Sequence, residues 1–331
     1  MESIYCRPRC PGRLYRVPPI CLPAYFIAMS TALPPTIDPV AAARWHSAAP
    51  AVSPWLHEEV ARRMQDRLQW MAKPPTSWLD WEPVRGGMAA HALVAQRYPQ
   101  AQAWVYEGDS ARAGHVRSSL AKPWWDMGRW AGKQLRFGLP AAGQEVDMLW
   151  ANMQLHMAAD PQALLTQWHR ALAVDGFVMF SCLGPDSARE LRTAYERAGW
   201  PAAGHSFTDM HDWGDMLVQS GFAEPVMDME RITLTFATPE RLLQELRELG
   251  CNLHPQRFAG LRGRQWLLDL HQLLDGALRL QEQDGQLALT FEVVYGHAYK
   301  PKPRVRASGE SSVPLDDMRA MLRQGRNAGL R

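Results

Sequence analysis

The sequence predicts an α/β protein with a doubly wound, mostly parallel sheet. Short apolar segments with high β-propensity alternate with amphipathic helical segments along residues 77–236, which is the pattern of βαβ units. A purely helical stretch, 239–286, then precedes a last apolar run at 287–299. We therefore expect a helical insert that caps the carboxyl edge of the sheet, where proteins of this architecture bind ligands.

The composition excludes several classes of protein. The chain has 331 residues, of which 47% are hydrophobic and 21% charged, and this length is enough to bury a large core. Residues 34–299 contain 24 basic and 30 acidic side chains, and this acidic excess argues against a nucleic-acid-binding protein. No apolar run reaches the ~18 residues of a membrane span. Five scattered cysteines do not make a disulfide scaffold. We expect a cytoplasmic globular protein without a nucleic-acid or membrane partner, and the sequence indicates no oligomeric state.

Both ends of the chain are expected to lie outside the folded domain. Residues 1–36 are rich in proline and show neither a helical nor a strand period, so we expect them to be disordered, or a mis-assigned leader before a true start at Met29. Residues 300–331 are basic, polar and proline-containing, which is typical of a disordered tail. The predicted domain therefore covers 37–299.

Two helices are predicted before the first strand. Asp38 precedes Pro39 and Ser53 precedes Pro54, and each pair is typical of a helix N-terminus. The second of these segments repeats an apolar residue at every fourth position, which predicts one buried helical face: Leu56, Val60, Met64 and Leu68.

The remaining elements follow in alternation. Runs rich in β-branched and aromatic residues predict strands at 77–81, 103–108, 146–152, 177–183, 225–236 and 287–299. Amphipathic patterns predict helices at 85–99, 161–173, 209–221, 239–250 and 264–283.

Four strings of residues resemble one known family. They are WANMQLHM (150–157), FSCLGPDSARELRTAYE (180–196), the long string 207–236 and FEVVYGHAY (291–299). Together they are similar to the malonyl-acyl-carrier-protein O-methyltransferases of biotin synthesis, the BioC family, within the class I S-adenosylmethionine-dependent methyltransferases. The resemblance covers about 37–299 and implies a Rossmann-like fold.

The resemblance also implies the reaction. The family methylates the free carboxylate of a malonyl thioester on acyl-carrier protein or coenzyme A, with S-adenosylmethionine as cofactor. A carboxylate is ionised at pH 7, so no general base is required, and catalysis is expected to depend on alignment and exclusion of water. The candidates to hold the substrate carboxylate are His211, Tyr295 and His297, with a buried structural role as the alternative for each. No His or Cys spacing predicts a metal site.

The turn after the first strand departs from the family. An Asp-x-Gly-x-Gly-x-Gly motif is expected there, but Glu82 and Val84 occupy the two inner glycine positions. In the family, an acid at the end of the second strand accepts hydrogen bonds from the ribose hydroxyls of the cofactor. Either Glu107 or Asp109 could be that acid here. The candidate cofactor-binding residues are Asp80, Gly86, Gly87, either Glu107 or Asp109, and Asn152; a cap, turn or loop role is the alternative for each.

Because two glycines of the motif are replaced in this turn, two other functions remain open. One is a catalytically silent relative that binds acyl-carrier protein or another partner, and the other is a methyltransferase acting on another small carboxylate or a quinone precursor. Three basic residues of the insert, Arg257, Arg262 and Arg264, are candidates to meet an acidic carrier protein, with a solvated surface as the alternative.

Overall fold

The computed structural model describes residues 37–120, 135–280 and 285–303. The predictions for 1–36, for Met29 and for 304–331 lie outside these ranges. None of the helices described there combines the length and apolar character that a membrane span requires.

Eight strands of the described residues form one sheet. They are β1 (Ser77–Trp81), β2 (Gln102–Tyr106), β3 (Arg136–Phe137), β4 (Val146–Ala151), β5 (Leu172–Leu183), β6 (Ala223–Phe236), β7 (Arg279–Leu280) and β8 (Gln286–Tyr299). The order is β3-β2-β1-β4-β5-β8-β6, with β7 paired to the start of β8. The pairs from β3 to β5 are parallel, whereas β8 runs antiparallel to β5, β6 and β7. The prediction of a doubly wound, mostly parallel sheet is confirmed.

Helices cover both faces of this sheet. They are α1 (Pro39–Ala48), α2 (Trp55–Arg67), α3 (Pro83–Gly86), α4 (Met88–Arg97), α5 (Ser110–Leu120), α6 (Pro161–Ala171), α7 (Arg189–Arg197), α8 (Met210–Gln219), α9 (Pro239–Leu249) and α10 (Arg264–Leu278). A side-chain cap accepts hydrogen bonds from free backbone N–H groups at the start of α1, α6, α8 and α9: Asp38, Asp160, Asp209 and Thr238.

The central strands β1, β4 and β5 bury both of their faces in separate cores. In β4, Met148 and Trp150 pack with α2, α4 and α10, while Leu149 packs on the other face with Trp168 of α6 and with α8. Each such side chain contributes roughly 1.5–3 kcal/mol when it is removed from water. This two-sided burial explains why these central strands are largely apolar runs in the sequence.

Two predicted helices differ from the structure at an end. The helix predicted over 264–283 stops at Leu278, because Arg279 and Leu280 pair with the start of β8. The helix predicted over 85–99 is two helices, α3 and α4, separated at Gly87, whose φ of 132° is in the region that favours glycine.

The strand order reverses beside β1, since β2 continues to one side of it and β4 lies on the other. The residues that follow β1, β2 and β4 therefore meet at the carboxyl edge, on either side of a crevice. Sheets of this kind bind their ligands at that position.

Candidate functional site

A cavity of about 390 Å³ lies at this reversal, and we call it cavity A. Its wall includes the last residues of β1 and β2, Trp81 and Tyr106, and three residues that follow strands: Glu82 after β1, Gly108 after β2 and Gln154 after β4. The rings of Trp81 and Tyr106 are 4.5 Å apart between centroids. Its volume and its mixture of aromatic and charged groups suit a small-molecule site.

A second cavity, of about 330 Å³, adjoins the first, and we call it cavity B. It is lined by apolar side chains from β5, α7, α9 and β8, with six polar residues among them: His156, Ser187, Arg192, His205, Arg247 and Asn252. Met157 and Leu249 line both cavities. Two molecules bound in A and B would therefore meet at this shared wall.

Glu82 carries its carboxylate into the wall of cavity A. Its backbone is left-handed, with φ 52° and ψ 55°, and its N–H donates to the Tyr106 carbonyl over 2.7 Å. Its Oε1 lies 3.7 Å from Nε2 of His46. Burial raises the pKa of Glu82, while the charges of His46 and Arg112 and a hydrogen bond from the Gly108 N–H act in the opposite direction.

The two acids predicted to hold a ribose are engaged elsewhere. Oε1 of Glu107 accepts the Val84 N–H over 2.8 Å, and Oε2 lies 3.4 Å from Nε of Arg112. The Glu107 side chain is fully buried, which raises its pKa to about 7. Asp109 caps α5, because its Oδ1 accepts the N–H groups of Ala111 and Arg112, each over 3.0 Å. Neither acid lines cavity A.

The other predicted cofactor residues hold the framework behind cavity A. Oδ2 of Asp80 lies 2.7 Å from Nδ1 of His91, which joins β1 to α4, and burial raises the pKa of Asp80. A Cβ at Gly87 would lie 2.9 Å from Oε2 of Glu58 in α2. A Cβ at Gly86 would lie 3.2 Å from the backbone carbonyl oxygen of Asn152, the residue after β4. These glycines therefore allow the turn to approach α2 and β4 closely.

Asn152 connects three segments directly beneath the turn. Its Nδ2 donates to the carbonyls of His57, over 2.8 Å, and of Gly86, and its Oδ1 accepts from Oγ of Ser181 over 2.6 Å. The side chain is buried, and it does not line either cavity. It positions the turn without facing the space that a ligand would fill.

The three residues predicted to hold a substrate carboxylate lie away from both cavities. His211 is 81% exposed, and its Nδ1 lies 2.7 Å from Oδ1 of its neighbour Asp209. The Tyr295 hydroxyl donates to Glu230, and the Arg67 guanidinium lies 3.7 Å from the centre of the Tyr295 ring.

His297 lies toward the opposite edge of the sheet. It pairs with Met179, whereas the carboxyl end of β5, Leu183, pairs with Val293. Because β8 is antiparallel to β5, the later residues of β8 run away from the carboxyl edge. The structure therefore does not bring His211, Tyr295 and His297 together.

Several residues of the site were not predicted as ligand-facing. Arg85 lines cavity A and donates to the carbonyls of Val52, over 2.8 Å, and Glu248, over 2.5 Å, so it ties the segment before α2 to the end of α9. His156 and His205 line cavity B, and burial lowers the pKa of both. His156 lies within the string 150–157, but nothing in that string indicates a cavity. Within the described ranges, no three His, Cys, Asp or Glu side chains are arranged to hold a metal ion.

Comparison with known proteins gives a consistent set of relatives. No model of a protein family matches the chain. A malonyl-[acyl-carrier protein] O-methyltransferase of Gallionella capsiferriformans is 38% identical over 265 residues, covering 78% of this chain and 88% of that protein. One of Laribacter hongkongensis is 39% identical over 279 residues, covering 81% and 88%. Among solved structures, YcgJ of Bacillus subtilis matches with a TM-score of 0.48 at 12% identity, covering 74% of this chain and 99% of that one.

Proposed function

Because this chain belongs to the malonyl-[acyl-carrier protein] O-methyltransferase family, we propose that it methylates the free carboxylate of a malonyl thioester with S-adenosylmethionine. This is the family that the strings in the sequence predict, and the reaction would supply a precursor of biotin. The observation that carries the assignment is the pair of adjoining cavities with a common wall at Met157 and Leu249. Cavity A suits the cofactor and cavity B suits the acyl chain.

The residues of cavity A fit S-adenosylmethionine in chemical character. The cofactor combines an aromatic base, a ribose diol and a cationic sulfonium. Cavity A offers the rings of Trp81 and Tyr106 and the carboxylates of Glu82 and Asp160. Aromatic faces stack on a base, and carboxylates accept hydroxyl hydrogens and attract a cation.

The protein's part in the reaction is to align the substrate and exclude water. When bound, S-adenosylmethionine supplies a methyl group that the sulfonium has already activated. The acceptor carboxylate is ionised at pH 7, so no side chain needs to remove a proton. Arg247 lines cavity B and its side chain is exposed, so it is available to attract an anionic substrate. The apolar lining of cavity B suits the acyl chain and excludes water from it.

Filling cavity B is expected to impair turnover while leaving the cofactor bound. Ala203 lines cavity B, and its neighbour Ala202 is exposed and does not. We expect Ala203→Trp to lower kcat/KM for malonyl-acyl-carrier protein by about tenfold or more, a barrier increase of ~1.4 kcal/mol or more, with unchanged calorimetric binding of S-adenosylhomocysteine. Ala202→Trp is the matched control and should behave as wild type.

The same titration separates this function from that of a silent relative. Micromolar binding of S-adenosylhomocysteine, about −8 kcal/mol, is expected for the wild-type protein. A folded protein that shows no heat up to millimolar ligand would contradict the methyltransferase assignment and leave partner binding as the function. Full activity of Ala203→Trp would contradict the placement of the acyl chain in cavity B.

We further propose acyl-carrier protein, rather than coenzyme A, as the natural carrier. Phe258, Leu261, Arg262 and Arg264 form an exposed or partly exposed face of the insert, which we call the cap face. The guanidinium of Arg262 lies 4.1 Å from the Trp266 ring centre, which holds its charge in place. Arg257 is not available to a partner in the same way, because its Nη1 pairs with Asp38 over 2.8 Å. A basic, partly apolar face suits an acidic protein.

Reversing one charge on the cap face is expected to discriminate between the two carriers. Arg264→Glu should raise KM for malonyl-acyl-carrier protein about fivefold at low salt, with a smaller effect as salt is added, and should leave KM for malonyl-coenzyme A unchanged. Arg97→Glu, an exposed arginine at the end of α4, is the charge-matched control. Equal effects of Arg264→Glu on both substrates would contradict docking of the carrier protein on this face.

A further inference from the structure

We propose that Glu82 replaces the acid at the end of β2 as the acceptor for the ribose hydroxyls of S-adenosylmethionine. The inference rests on the proposed function and assigns a side chain to the cofactor that this function requires. The residue sits at the first inner glycine position of the family's turn, where a side chain is otherwise absent.

The Glu82 carboxylate lies at the end of β2, although Glu82 itself follows β1. The Glu82 N–H donates to the carbonyl of Tyr106, the last residue of β2. A Cβ built on Gly108 would lie 3.0 Å from Oε1 of Glu82 and 3.0 Å from Nε2 of His46. The carboxylate therefore occupies the place at which the family's ribose acid would project from β2, and the missing side chain at Gly108 leaves room for it.

The two acids after β2, Glu107 and Asp109, do not occupy that place. For Glu107 the reason is a second departure from the motif, at Val84. Val84 stands at the other inner glycine position and is buried against Val105 and Val116. Its N–H is satisfied by Oε1 of Glu107. A buried N–H left without an acceptor would be costly, so the packing of Val84 holds Glu107 inside the fold. Asp109 is occupied by the start of α5.

Glu82 itself has the properties of a ligand group. It lines cavity A and is 8% exposed, and its ion-pair partner among the described residues is the half-exposed imidazole of His46 alone, at 3.7 Å. Its left-handed backbone is unfavourable for a residue with a Cβ. The Glu82 carboxylate accepts a hydrogen bond from the Gly108 N–H, and no arginine or lysine of the described ranges lies within ion-pair distance of it. Its two oxygens have room for further donors, and a ribose diol supplies two.

The alternative is that Glu82 is an eroded residue that only crowds cavity A. The two interpretations predict opposite results for Glu82→Gly, which restores the family's glycine and suits the observed backbone. If Glu82 crowds the cavity, its removal strengthens cofactor binding. If Glu82 accepts the ribose hydroxyls, its removal weakens binding.

The experiment is a calorimetric titration of S-adenosylhomocysteine and of its 2′-deoxyribose analogue into wild-type protein and Glu82→Gly. We expect wild type to prefer the ribose ligand by about tenfold or more, the range for a hydrogen bond to a charged group. Glu82→Gly should bind S-adenosylhomocysteine about tenfold or more weakly and lose the preference. Tighter binding, or an intact preference, would overturn the assignment. Thermal unfolding verifies that each variant is folded.

Asp109→Asn is the matched control, because it removes one negative charge at the end of β2. It should keep the preference for ribose, and loss of that preference in Asp109→Asn would overturn the assignment in favour of the β2 acid. If folded wild-type protein binds neither ligand, the proposed function fails and the Glu82 assignment with it. If wild type binds both and Glu82→Gly keeps the preference, the assignment alone fails.

Discussion

Replacement of Gly296 by alanine is expected to lower the free energy of unfolding by about 3 kcal/mol, or to prevent folding altogether. Gly296 lies in β8, opposite Phe180 of β5 on one side and Met227 of β6 on the other. A Cβ at this position would overlap the Phe180 ring and would lie 2.8 Å from the Met227 sulfur. Phe180 is fully buried, so the ring cannot move aside without disturbing the core around it.

The matched control for this substitution is Gly276→Ala in α10. A Cβ at Gly276 would contact nothing within 4 Å, and alanine is favoured over glycine inside a helix. We expect Gly276→Ala to stabilise the protein by about 0.5–1 kcal/mol. Urea unfolding of both variants measures the difference. A Gly296→Ala protein as stable as wild type would show that β5 and β8 are farther apart than described.

Replacement of Asn152 by alanine is expected to cost about 3 kcal/mol of stability and to weaken cofactor binding. The substitution leaves the Gly86 carbonyl without this donor and the Ser181 hydroxyl without its acceptor, both in a buried place, and it removes a second donor from the His57 carbonyl, which lies inside α2. Each unsatisfied buried group costs ~1–3 kcal/mol. The turn that carries Glu82 is held in part by Asn152, so we expect the affinity for S-adenosylhomocysteine to fall together with the melting temperature.

Asn252→Ala provides the comparison for the loss of an asparagine. Asn252 also makes two hydrogen bonds, to the Ala202 carbonyl over 2.7 Å and from the His254 N–H over 2.9 Å, but both are near solvent. Water can replace these bonds, so a loss of less than ~1 kcal/mol is expected. Equal losses in the two variants would contradict the view that Asn152 is the buried junction of the turn.

The fold and the family were both predictable from the sequence. The alternation of apolar strands and amphipathic helices is local, and it placed β1, β4, β6 and β8 within a few residues of their observed bounds. The strings at 150–157 and 180–196 indicated the family that the relatives confirm. Helix ends were less predictable. The pattern at 264–283 is helical throughout, but the helix ends at Leu278 because Arg279 pairs with β8, which comes later in the chain.

The candidate site was predictable only as a region. The sequence located the turn after β1 and marked Glu82 and Val84 as departures from the motif. Only the tertiary structure shows that Glu107 turns inward toward Val84, 23 residues earlier, and that Asn152 faces His57, 95 residues earlier. A side chain's direction at a strand end depends on which distant N–H or carbonyl needs a partner.

The placement of the candidate residues in the last strand also depends on parts of the chain that are distant in sequence. The sequence determined that 291–299 is a strand with a family-like string, because β-propensity and residue order are properties of the chain itself. Only the tertiary structure decided that this strand is antiparallel to β5, so that Tyr295 and His297 run away from the carboxyl edge where cavities A and B lie. Strand direction within a sheet depends on the connections and packing of the whole domain, and no local pattern encodes it.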